Sequence, residues 1–225
     1  MFESKYSKVL TVILIVVIIA IVVLLGFLAY DYIQKFNTTK QASDFVEDYQ
    51  GDLNTGEQNV TGNDIENATL GNITETPIEN SGTSGNGTKK KYYNYTVVGT
   101  MKIPAINLQY PIVEDVTGPA LEKALVALYP SGDNLNLPGN TVVIGHNYRN
   151  GTLFSNLKKL SNGAKIYVTD YRGKSLTYEV YNKFETSSTD TSFYSRDTNG
   201  LAELTLSTCT DASNDQRTII FAKQI

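Results

Sequence analysis

The chain has 225 residues with 19 basic and 23 acidic side chains, one His and one Cys, too few ligands for a zinc cluster or a disulfide framework within one chain. Its net charge of −4 is uneven: residues 1–41 carry four bases and two acids, residues 42–91 three lysines and nine acids, and residues 92–225 twelve of each. The last segment has no basic excess, which argues against a nucleic-acid partner.

Val9 to Tyr30 is a run of 22 residues without a charged side chain. A helix of that length rises roughly 33 Å, enough to cross the hydrocarbon core of a bilayer. The run is longer than the apolar region of a cleaved signal peptide and ends Phe27-Leu28-Ala29-Tyr30, without the small-residue cleavage pattern. Lys5 and Lys8 before the span balance Lys35 and Lys40 after it, so charge alone does not orient it. The long foldable part lies after the span. The expectation is a single-pass cell-membrane protein, with residues 1–8 as a short cytoplasmic N-terminus, 9–30 as the transmembrane anchor and the rest outside the cytoplasm.

Residues 31–91 are expected to form a juxtamembrane segment and a linker. From Gly51 to Lys91 the composition is dominated by Asn, Gly, Thr and Glu without apolar periodicity. Such a segment buries too little apolar surface to offset its ordering entropy and is expected to be disordered.

The domain at 92–225 reads as mainly β. Strands are expected at Tyr95–Ile103, Leu108–Glu114, Asn140–Gly145, Lys165–Asp170, Ser175–Glu185, Leu201–Thr208 and Arg217–Gln224. Leu121, Ala124, Leu125 and Leu128 recur at helical spacing after Thr117-Gly118-Pro119, and Thr152–Leu160 forms a second short helical pattern. About eight short strands with two small helices predict a closed β-barrel.

The two chemical singletons occupy equivalent places. His146 follows the apolar strand ending at Gly145, and Cys209 follows the strand ending at Thr208, each at the start of a polar loop. An unpaired Cys in an exported domain is a buried inert residue, an intermolecular disulfide partner or a reactive thiol. As a nucleophile it needs a neighbouring base to take its proton, and an acyl-transfer intermediate needs a donor for its oxyanion. Arg217 opens the strand after the Cys loop; Arg149, Arg172 and Arg196 are equally available by spacing.

Thr205-Leu206-Ser207-Thr208-Cys209 resembles the T-L-x-T-C signature of sortases, the transpeptidases that attach proteins to cell walls. Gly145-His146-Asn147, the Phe154/Leu157 pair and an Arg eight residues after the Cys are similar to that family in the same order, over about residues 95–225. The resemblance implies an eight-stranded sortase barrel, with His146, Cys209 and Arg217 catalytic and Asn147 and Thr208 contacting substrate. It implies surface proteins bearing a C-terminal sorting signal as substrates, and a peptidoglycan-precursor or pilin amine as acceptor. Gly-His-Asn and T-L-S-T-C resemble class B, although Thr186–Gly200 is shorter than that class's helix-containing insertion. No cofactor is expected; Asp190, Asp197 and Glu203 are the acids near that loop that a calcium ion would need. Other readings are a different Cys/His wall enzyme, such as an L,D-transpeptidase, whose S-H-G-C run is absent, or a stalked adhesin.

Overall fold

A computed structural model describes residues 5–56 and 89–225. It divides into two compact units, Met1–Lys40 and Gln41–Ile225. A single helix, α1, spans Lys5–Gly56. Between Gly26 and Gly51 there is neither Gly nor Pro to interrupt it. In the first unit its side chains from Val9 to Gln34 are exposed, and a stretch with mean hydropathy 3.6 is long and apolar enough to cross a membrane.

Among the described residues the second unit is built on nine strands: β1 Lys91–Tyr92, β2 Tyr95–Ile103, β3 Leu108–Val113, β4 Leu125–Tyr129, β5 Gly139–Ile144, β6 Lys165–Asp170, β7 Ser175–Ser187, β8 Ala202–Cys209 and β9 Gln216–Gln224. Their order is β1-β2-β3-β4-β5-β8-β9-β7-β6, and β2 also pairs with β6, which closes eight of them into a barrel. The short β1 merely extends β2 at its edge. Closure removes the free sheet edges that an open all-β domain would expose. Inward residues alternate along each strand, as in Leu204 and Leu206 of β8 or Ile220 and Ala222 of β9, and they meet Met101, Ile112, Leu125, Phe154 and Val168 in one core.

One expectation within the barrel requires correction. The helical spacing of Leu121, Ala124, Leu125 and Leu128 yields only a one-turn helix, α2 Gly118–Leu121, capped by the Thr117 hydroxyl on the Ala120 N–H. Leu125–Tyr129 is instead a strand, parallel to β3 and antiparallel to β5. A short apolar run buried on all sides fits either period, and the sheet partners decide it. The pattern at Thr152–Leu160 becomes a 3-10 helix, Phe154–Lys159.

The end of α1 belongs to the barrel unit. Ala42, Phe45, Val46, Tyr49 and Leu53 form a stripe at i, i+3, i+4, i+7 and i+11. Ala42, Val46 and Tyr49 are buried, and Tyr49 packs in a cluster with Tyr92, Val97, Val113, Ala120, Ala124 and Val126. Phe45 lies 4.9 Å from the Tyr92 ring, and Asp52 pairs with Lys90. Residues 51–56, assigned by composition to the linker, thus continue a docked helix; the remaining linker residues 57–88 lie outside the described residues.

Tyr49→Ala in the full chain is expected to lower the barrel's unfolding free energy by about 3–5 kcal/mol. Tyr49→Phe should cost nothing, because the buried hydroxyl has no hydrogen-bond partner among the described residues. Denaturant unfolding of both variants checks this, and an unchanged midpoint in Tyr49→Ala would show that the helix is not docked.

Candidate active site

The parity of three neighbouring strands assembles the site. On β8 the side chains of Leu204 and Leu206 enter the core, so Thr205, Ser207 and Cys209 face the other side. On β9 Ile220 and Ala222 enter the core, so Ile219 and Arg217 face out with Cys209. On β5 Val143 enters the core, while Val142 and Ile144 face out. The same alternation carried past Ile144 turns Gly145 inward and His146 outward.

Register then sets the level. Strands β5 and β8 run parallel with Ile144 beside Ser207. The Gly145 N–H donates to the Ser207 carbonyl at 3.3 Å, and the Thr208 hydroxyl donates to the Gly145 carbonyl at 2.7 Å. His146 therefore comes level with Cys209. Strands β8 and β9 run antiparallel with Cys209 directly opposite Arg217. Directly opposed residues have Cβ atoms roughly 4.5–5.5 Å apart.

His146, Cys209 and Arg217 line one cleft of about 230 Å³, together with Leu121, Leu128, Ile144, Phe193 and Tyr194. All three are half-buried. The His146 ring lies 4.9 Å from the Tyr148 ring, and its nitrogens make no hydrogen bond among the described residues. Arg217 donates from Nη1 to the carbonyls of Asn214 and Gln216. Its other guanidinium N–H groups have no protein partner among the described residues.

The three arginines that spacing left equally available are engaged elsewhere. Arg172 pairs with the fully buried Asp170 at 2.8 Å. Arg196 pairs with Glu203 at 2.8 Å and lies over the Phe221 ring at 3.9 Å. Arg149 donates to Thr210, Asp211 and Asn214. Arg217 alone of the four lines the cleft.

Both residues expected to touch substrate make hydrogen bonds within the protein, and Thr208 also lines the cleft. The Thr208 hydroxyl is tied to Gly145 and buried. The Asn147 amide donates to the Cys209 carbonyl at 2.9 Å and to Asp211 at 2.8 Å. The acids near the loop disperse likewise: Asp190 accepts from Thr186 and the Ser192 N–H, Asp197 from the Asn199 N–H, and Glu203 pairs with Arg196. The bonds from Ser192 and Thr186 hold the Asp190 carboxyl below the usual carboxylate range. Among the described residues no three His, Cys, Asp or Glu side chains cluster as metal ligands.

Sequence reasoning missed the cleft wall. The loop between β7 and β8 folds back so that Phe193 covers Val142 and Ile219 on the outer face. Buried Asn140 anchors it, donating to the Phe193 carbonyl at 3.0 Å and the Tyr194 carbonyl at 2.9 Å. The Asn140 oxygen accepts in turn from Thr205 and Arg196. Burial pushes the Tyr194 phenol above its usual range, while the nearby Arg217 charge works the other way. The adjacent aromatics of Ser-Phe-Tyr-Ser in an otherwise polar loop were the available signal.

A closed eight-stranded barrel with Cys, His and Arg on one outer face defines the class, and comparison with known proteins agrees. The family model described as the sortase domain matches residues 101–225. The chain is 28% identical to sortase A of Bacillus anthracis over 135 residues, 56% of this chain and 58% of that protein. Its fold superposes on sortase A from Corynebacterium diphtheriae with a TM-score of 0.53 and 31% identity, covering 58% of this chain and 61% of that one. A Clostridium perfringens sortase D5 transpeptidase gives 0.51 and 28%, covering 57% and 79%. The chain belongs to the sortase family, and it spans less than two thirds of the curated relatives that it matches. The class B resemblance gains no support here: these relatives are sortases A and D, and the loop between β7 and β8 contains no helix.

Gly145 is required because the outward turn of His146 aims the preceding residue into the core. A Cβ there would lie 2.7 Å from Leu125 Cδ2 and 2.9 Å from the Phe154 ring. Gly145→Ala is expected to cost about 1–3 kcal/mol by overpacking. Thermal unfolding checks it; a wild-type melting temperature would mean that the core yields freely at this point.

Proposed function

We propose that this chain is a membrane-anchored cysteine transpeptidase that cuts the Thr–Gly bond of a C-terminal sorting signal of LPxTG or NPxTG type. The observation that carries this reading is the placement of Cys209, His146 and Arg217 around one cleft. His146 takes the proton from the Cys209 thiol, and the thiolate attacks the Thr carbonyl carbon. Arg217 donates its free N–H groups to the resulting oxyanion. Collapse breaks the C–N bond as His146 returns the proton to the departing Gly amine, which leaves a thioester on Cys209. An incoming amine, from a peptidoglycan precursor or a pilin lysine, attacks the thioester. His146 takes the amine's proton and hands it to the departing thiolate, restoring the free enzyme.

The hydrophobic helix and the neutral barrel support a protein held at the cell membrane with its substrates on the outer side and no role in nucleic-acid binding. Membrane-impermeant maleimide added to intact, wall-stripped cells should label Cys209, the chain's single thiol. Labelling only after permeabilisation would place the barrel in the cytoplasm. An L,D-transpeptidase or an adhesin is disfavoured, since neither needs an arginine paired across from a lone thiol.

Steady-state kinetics on sorting peptides separate the roles. Cys209→Ala and His146→Gln should abolish turnover. Arg217→Ala should lower kcat by about 10²–10³ with a smaller effect on KM, the usual loss for an oxyanion donor. Arg217→Lys should fall between Ala and wild type, since one ammonium cannot reproduce the planar fork. Wild-type kcat in Arg217→Ala would remove Arg217 from the chemistry.

A further inference from the structure

The loop that follows His146 and the loop that joins Cys209 to Arg217 are tied together by a second arginine. Arg149 donates from Nε to the Asp211 carbonyl at 2.9 Å, and from Nη2 to the Thr210 carbonyl at 3.3 Å and the Asn214 side-chain oxygen at 3.2 Å. One guanidinium thus holds three residues of a six-residue loop. Its own placement is fixed from behind. The Arg149 N–H donates to the Asn147 side-chain oxygen at 3.0 Å, and its backbone sits at φ 57°, a conformation uncommon outside Gly and Asn. The other end of that Asn147 amide holds the Cys209 carbonyl and Asp211.

The loop gripped in this way positions both ends of the site. Thr210, which accepts from Arg149, directly follows Cys209, and its N–H donates to the Gln216 carbonyl at 3.1 Å. Asn214 accepts from Arg149 on its side chain and from Arg217 on its backbone carbonyl. On the other side, the His146 carbonyl accepts from the Phe154 N–H, and Asn147 bridges Leu153. The base sits on one loop, and the thiol and oxyanion donor flank the other. Strand pairing between β5 and β8 ends at Ile144 and Ser207, before either functional side chain.

We infer that Arg149 is a positioning residue that fixes the separation between His146 and the Cys209–Arg217 pair by clamping the two loops beyond the end of the sheet. Rigid substitutes for lost sheet hydrogen bonds matter here, because a displacement of about 1 Å between reacting groups costs roughly 10²-fold in rate. A planar fork reaching several acceptors is a task that lysine does not perform.

The inference rests on the proposed transpeptidase reading for its kinetic arm, and a second arm is independent of substrate. In the kinetic arm, Arg149→Ala should lower kcat on a sorting peptide by about 10–10² while KM changes little, because the substrate-facing cleft wall is untouched. Arg149→Lys should recover part of the loss. In the second arm, the single histidine gives one imidazole signal in a proton–carbon correlation spectrum. Cys209→Ala should shift that signal in the wild-type background and shift it much less when Arg149 is already Ala, since the ring no longer neighbours the thiol. Asn214→Ala, which removes one exposed acceptor of the clamp, should likewise reduce the response of the ring to Cys209→Ala and serves if Arg149→Ala does not fold. An undiminished response of the ring to Cys209→Ala, together with wild-type kcat, in these variants would overturn the inference. Failure of the wild-type chain to cleave any sorting peptide would contradict the proposed function and leave the ring signal to decide on the clamp.

Discussion

The register between three adjacent strands is the constraint on which the site depends. Ile144 beside Ser207 and Cys209 opposite Arg217 leave no freedom in which residues share the outer face. A slip of one residue in either pairing would turn the whole set over. Register is enforced by the core: Val143, Leu204, Leu206, Ile220 and Ala222 are fully buried, so a slip would take them out of the barrel interior and put polar Thr205 and Ser207 in their place. Burying each aliphatic side chain is worth about 1.5–3 kcal/mol, far more than any single polar contact in the cleft. The hydrophobic interior of the barrel thereby sets the geometry of the groups on its exterior.

Polar contacts finish what register begins. The buried Asn140 satisfies all its hydrogen-bonding capacity by joining the outer face of β5 to Thr205, Arg196 and the two carbonyls of the cleft wall. The ion pair of Arg196 with Glu203 is nearly dehydrated, and such a pair holds position more than it adds stability. The T-L-S-T-C signature gains physical meaning residue by residue. Thr205 anchors Asn140, Leu206 fills the core, Ser207 accepts from Gly145, Thr208 holds the Gly145 carbonyl, and Cys209 faces the cleft.

Much of this was legible in the sequence because the strands obey period two and the chain has a single Cys and a single His. The strands bounding the site and the outward placement of His146 and Cys209 follow from alternation and turn signals alone. The choice of Arg217 did not follow from spacing. It needed the resemblance first, and then the partners that occupy Arg149, Arg172 and Arg196. Strand β4 was misread because a buried apolar run carries no period of its own. The docking of the end of α1 was not read from the sequence although Ala42, Phe45, Val46, Tyr49 and Leu53 are regularly spaced; the segment before Gly51 reads only as a juxtamembrane piece, and composition assigns Leu53 to the linker. Asn147 and Thr208 were expected to meet substrate; the structure adds hydrogen bonds from both to neighbouring backbone carbonyls, which depend on side-chain direction and have no signature in residue type.

The central claim is that Cys209 forms an acyl-enzyme inside a site completed by His146 and Arg217. Intact-mass analysis of the purified chain, mixed with a sorting peptide and quenched in acid, tests it directly. The account predicts an added mass equal to the peptide fragment ending in Thr, located on Cys209 and released by hydroxylamine. An unmodified Cys209 in a preparation that nonetheless cleaves the peptide would contradict it.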